Sequence, residues 1–274
     1  MTPRQVWNRC YGDFLMPSRL PAYRALLEAA LEAGYAIVSV EGAWAAIEAG
    51  RLDPAGRTLV LRHDIDTGPL TAGAMWRIER DLGVGSSYYF RLSTLDLGLM
   101  AEIAAGGSEA SYHYEELATV AKRHRPRTTA AALALVPEAQ DRFRHNLERL
   151  RGQTGLPFRT VASHGDFVNR KLGLMNWTIL ADPAFRAAVG IDLETYDEAF
   201  MGHVTSRHAD TTYPRFWTTQ PPPQTAIATG EPVVYLLVHP GAWRVTPWRS
   251  VVGNLRRIRE GIAYANPLRL PGRT

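Results

Sequence analysis

The chain has 274 residues, 46% hydrophobic and 21% charged, with 31 basic and 27 acidic side chains and a formal charge of +4. That is the make-up of a soluble globular protein of one large or two small domains. No run of 18 apolar residues is present to cross a membrane, and a single cysteine, Cys10, excludes an internal disulfide framework and a cysteine-cluster metal site.

In chain order, the opening MTPRQVWNRCYGDF lacks the basic-then-apolar layout of a signal peptide, so the expected location is cytoplasmic. Residues 21–34 predict a helix with a glycine stop, 35–40 (YAIVSV) a strand and 41–50 a second helix. TLVLRHDID, 58–66, predicts a strand broken by Gly68-Pro69, and 70–83 a helix with Met75, Ile78 and Leu82 on one face. SSYYFRLS is a strand, LGLMAEIAAGG a helix and SEASYHYE a short strand. EELATVAKRH and residues 128–150 are helical, FRTVASHG is a strand and LGLMNWTILAD a helix. Residues 218–232 are a loop on composition, PVVYLLVHP a buried strand and 249–265 a closing helix. The basic stretch KRHRPR, 122–127, is a solvated loop with no nucleic-acid-binding motif beside it.

Strands that alternate with helices predict parallel strands, because parallel neighbours need a crossover. The expected architecture is one α/β domain, either a barrel or an open doubly wound sheet. In such folds the C-terminal strand ends surround the active site. Four strands here place His or acidic residues at that end: Asp64 and Asp66, His113 and Glu115, His164, and His239.

Asp64 and Asp66 are two apart, so on a strand they share a face. Two close carboxylates in a partly dry pocket cannot both stay ionised without a counter-charge. A divalent cation resolves this, and imidazole with carboxylate but no thiolate suits zinc as well as Mn, Fe, Co or Ni. Asp64 and Asp66 could instead form a turn or cap the next helix, and His113 could be a hydrogen-bonded core residue. It is the coincidence of four strand ends that points to a metal. His124, His145, His203 and His208 lie in helical or polar segments and are expected at the surface.

LRHDIDTGP, YYFRLST, GSEASYHYEEL, ASHGDFVNRK and LLVHPGAW, in that order, resemble the polysaccharide deacetylase family (carbohydrate esterase family 4-like), in its divergent branch with RHD-x-D and YHYE motifs. The likeness runs from about Tyr23 to the C-terminus and implies one catalytic domain, with a core of about 23–265. It implies a distorted (β/α) barrel of about seven parallel strands, a divalent metal, usually zinc, and hydrolysis of an N-acetyl group on an amino sugar or glycan precursor. Carried over by position, Asp64 is the catalytic base, Asp66 and His113 are metal ligands, and His239 is the general acid. The better-known members carry a second histidine where Glu116-Leu117 stand here, so His164 of SHGD is expected as the third ligand. An alignment pinned on Gly68-Pro69 would instead make Asp66 the base and put Thr67 at the ligand position. Residues 202–217 fall where relatives carry a Ser-Asp motif, and Asp210 is the nearest carboxylate.

Arg62 and Arg91 are candidates to orient Asp64 or bind an anionic group of the substrate. Tyr112, Tyr114, Trp217 and Trp243 are candidates to stack on a sugar. Two other outcomes stay open: a metal-dependent amidase for a non-sugar amide, and a non-catalytic glycan-binding scaffold. No nucleic acid partner is expected.

Overall fold

The structure is a computed structural model that describes residues 2–53 and 56–244. The predicted closing helix at 249–265 lies outside the described residues. Eight strands form one sheet: β1 (Ala36–Val38), β2 (Thr58–Ile65), β3 (Ser87–Phe90), β4 (Glu109–Tyr114), β5 (Thr160–Ser163), β6 (Leu193–Glu194), β7 (Ser206–Ala209) and β8 (Val233–Val238). The order is β6-β5-β4-β3-β2-β8-β7, every named pairing is parallel, and the sheet curls into a distorted (β/α) barrel flanked by helices. β1 pairs with the first half of β2 (Ala36 opposite Thr58), and β3 takes the same edge further on (Asp64 opposite Tyr89). Among the described residues the barrel does not close between β6 and β7, which end the order.

β2 explains how the sequence builds this. Leu59 to Ile65 are all buried, as expected of a central parallel strand covered on both faces. Alternation sends Val60 to a cluster with Tyr89, Ala162, Leu193, Tyr235 and Leu237 inside the barrel. Leu59 and Leu61 go to the opposite face, against the helices Leu20–Glu32 and Pro69–Leu82. Arg62 and Asp64 therefore lie on the inner face with Val60.

Three segments differ from expectation for local reasons. Residues 128–150 form two helices, Thr129–Leu133 and Val136–Thr154, because Pro137 fits only the start of a helix. LGLMNWTILAD is not one α-helix. Gly173, at φ 63°, ends the helix Phe167–Leu172, and a 3₁₀ turn follows at Asn176–Leu180. The predicted loop at 218–232 contains the helix Pro223–Thr229, again with Pro in its first turn. Among the described residues no helix is long and apolar enough to cross a membrane.

Candidate metal centre

The inner-face residues at the C-terminal strand ends meet. Asp66 follows β2, His113 is on β4 and His164 follows β5. Asp66 Oδ1 lies 3.2 Å from His113 Nε2 and 2.8 Å from His164 Nδ1, and the two nitrogens are 3.3 Å apart. A tetrahedral ion with ligands at about 2.0–2.1 Å holds its donors about 3.3 Å apart. The three atoms thus surround a space of the right size.

Their chemistry fits a cation as well. His113 Nδ1 is 2.9 Å from the carbonyl oxygen of Ala162. A carbonyl only accepts, so Nδ1 carries a proton there, and Nε2 is the ring nitrogen turned toward Asp66. Asp66 Oδ1 is buried and makes no hydrogen bond of normal geometry despite its two close neighbours. Burial would raise the Asp66 pKa, but the imidazoles of His164 and His113 hold it well below the usual carboxylate range. A second group, Glu115, His164 and Asp166, is also close-set. Its carboxylates are already committed: Glu115 to Arg91 at 2.6 Å, and Asp166 to Lys122 at 2.5 Å and the amide of Val168.

Asp64 sits beside this triad, its Oδ2 3.5 Å from His113 Nε2. Arg62 donates to both its oxygens, each at 2.7 Å, and Tyr235 Oη accepts from the other arm of that guanidinium at 2.9 Å. Burial pushes the Asp64 pKa up, and the Arg62 charge outweighs it and keeps the carboxylate ionised.

His239, just past β8, is held from the other side. Asp210, just past β7, accepts from His239 Nδ1 at 2.6 Å and from its backbone amide at 2.9 Å, and Trp243 Nε1 donates to the same carboxylate at 2.7 Å. Burial alone would lower the His239 pKa. Asp210, then Asp66 and Asp64, instead raise it to about 10, so the ring is protonated at neutral pH. The loops after β2 and β8 touch closely. A Cβ on Gly241 would lie 2.3 Å from Thr67 Oγ1, so any larger residue there would force Thr67 to move. Thr67 therefore lies against Gly241, while Asp66 is the residue that faces the imidazoles.

Asp64, Asp66, His113, His164 and His239 thus come together. Arg62 joins them in the first of its two expected roles: it is fully buried and orients Asp64, which leaves it closed to substrate. The other substrate candidates do not. Tyr112 and Tyr114 are buried on the outer face of β4 against Phe143, because alternation opposes them to His113. Trp243 is 1% exposed and holds Asp210, and Trp217 packs against it. Arg91 is paired with Glu115. His208 is buried on β7 next to Ser206 and Thr219, not at the surface.

Two contributions escaped the sequence reading. Asp210 orients His239. Asn176 is buried, donates to the His164 carbonyl at 2.5 Å and accepts from the amide of Ala118 at 2.9 Å. His63 was passed over too; it is buried beside Tyr23 and Glu79 and stacked on Tyr88, on the face of β2 away from the site. Comparison of the chain with family models, curated proteins and solved structures returns no match.

Proposed function

We propose that this protein is a metal-dependent hydrolase that removes an N-acetyl group from an amino sugar or glycan precursor. The observation that carries the proposal is the buried, unbonded Asp66 Oδ1 between two imidazole nitrogens, with an ionised carboxylate and a protonated imidazole alongside. Asp66, His113 and His164 would hold a divalent cation, zinc by donor type, which when bound supplies Lewis-acid polarisation of the amide carbonyl and an acidified water.

The chain's own residues do the rest. Asp64, fixed by Arg62 and ionised, accepts the proton of the attacking water. His239 carries its proton on the Nε2 side, because Nδ1 is engaged by Asp210, and delivers it to the departing amine nitrogen. An amide nitrogen leaves poorly unprotonated, so a group that stays charged at neutral pH suits the task. A decayed binding scaffold has no need of a base and an acid held this firmly. As part of the same proposal the enzyme works in the cytoplasm; the exposed Cys10 requires no oxidising compartment.

The test is metal analysis of the purified protein, then acetate release from a panel of N-acetylhexosamines, their nucleotide-linked forms and small non-sugar amides. Stoichiometric zinc with acetate release from a sugar is the expected result. A protein that takes up no divalent ion, or that hydrolyses only the non-sugar amides, overturns it.

A further inference from the structure

With the expected stacking residues buried, an exposed ring stands one residue past Asn176, the residue that holds the His164 carbonyl. Trp177 is 41% exposed. It follows Asn176, whose side chain is locked between the His164 carbonyl and the amide of Ala118, in a 3₁₀ turn anchored by buried Ile179 and Leu180. Its ring packs on Tyr196, centroids 5.1 Å apart. Tyr196 stands just past β6, at an end of the described sheet. It is flanked by the guanidinium of Arg62, 4.9 Å from its ring, and that of Arg207 on β7, at 5.2 Å. Arg62 in turn holds Asp64.

These contacts form a continuous wall from His164, a donor of the metal triad, through Asn176, Trp177, Tyr196 and Arg62 to Asp64. Tyr196 is occupied on its sides and acts as a buttress. Trp177 presents the free aromatic face. Its backbone is fixed on both sides, so little conformational freedom is lost when a ligand covers it.

We infer that Trp177, backed by Tyr196, is the platform for a pyranose ring next to the scissile amide. The C–H face of such a ring carries partial positive charge and meets the negative face of an indole, while its hydroxyl edge stays free for the polar groups around it. A small acyclic amide offers no such face. The inference deepens the N-deacetylase proposal and rests on it for the identity of the sugar.

The test is equilibrium binding by titration calorimetry on the full chain, with tri-N-acetylchitotriose and N-acetylethanolamine as probes. The wild type should bind the trisaccharide in preference to the amide. Trp177→Ala should weaken trisaccharide binding about tenfold, with Trp177→Phe recovering most of it, and thermal melting should change little because the side chain is exposed. Equal trisaccharide binding by wild type and Trp177→Ala, or none by the wild type at about 10 mM, overturns the inference. The two proposals fail separately. Trp177-dependent binding with no acetate release removes the hydrolase and keeps the platform; metal-dependent acetate release unaffected by Trp177→Ala removes the platform and keeps the hydrolase.

Discussion

Two histidine–carboxylate arrangements meet at the C-terminal strand ends, and they are satisfied in opposite ways. On the β7–β8 side the carboxylate is fully engaged: Asp210 takes three donors, and His239 is anchored by both ring and backbone. On the β2–β4–β5 side, Asp66 Oδ1 and the facing nitrogens of His113 and His164 crowd one space, and Asp66 Oδ1 makes no hydrogen bond of normal geometry. A buried acceptor without a donor costs about 1–3 kcal/mol. The first arrangement holds its own members in place. The second is shaped around something outside the chain.

The largest effect that separates the two sides is expected from Asp66→Ala. It should lose the metal, measured by elemental analysis, and with it turnover. Zinc at a hundred times its dissociation constant should stabilise the wild type by about 2.7 kcal/mol and leave the variant unshifted. Zinc that raises the melting temperature of both equally would place the ion elsewhere.

Asp64→Asn should retain the metal and lose about a hundred- to ten-thousand-fold in turnover. It also strips the buried Arg62 of its partner, so a loss of about 3–5 kcal/mol in denaturant unfolding should accompany it. Full activity in this variant would remove Asp64 from the mechanism.

Asp210→Asn tests the satisfied side through pH. His239 must be protonated to act, so activity should fall on the alkaline side. Its pKa stands at about 10 with Asp66 and Asp64 uncompensated; a bound cation cancels part of their pull and moves the limb lower. Removal of the Asp210 charge should shift the limb further toward 6.5, the ordinary value, with metal content unchanged. The same linkage gives a stability prediction for the metal-free protein. A raised folded pKa stabilises fully below the unfolded value of about 6.5, and that stability is lost as pH rises through about 10, so urea unfolding of Asp210→Asn should show a smaller loss over that range.

The smallest effect is expected at the seam between the two sides. Gly241→Ala should cost about 1–3 kcal/mol by overpacking against Thr67, and Thr67→Ala in the same chain should recover most of it, because the oxygen in the way is Thr67 Oγ1.

Much of this site is readable from alternation alone. Arg62 and Asp64 share the inner face of β2 because they are two apart, and the same rule turns Tyr112 and Tyr114 away from His113. That rule was available for the tyrosines and excludes them as sugar platforms without a structure. It also sends His63 outward. β6 has only two residues and β7 reads Ser-Arg-His-Ala, with no apolar run, so neither shows a strand pattern in the chain.

What the sequence by itself determined is local: parallel strands from buried apolar runs, and acidic and imidazole groups at their C-terminal ends, since a strand's period of two and a helix's stop signals act over a few residues. Only the tertiary structure decided that Asp210 belongs to His239, that Asn176 props His164, and that Trp243 is buried while Trp177 is open. Those pairings span residues far apart in the chain, and whether a ring meets solvent or a carboxylate depends on what the rest of the fold packs against it.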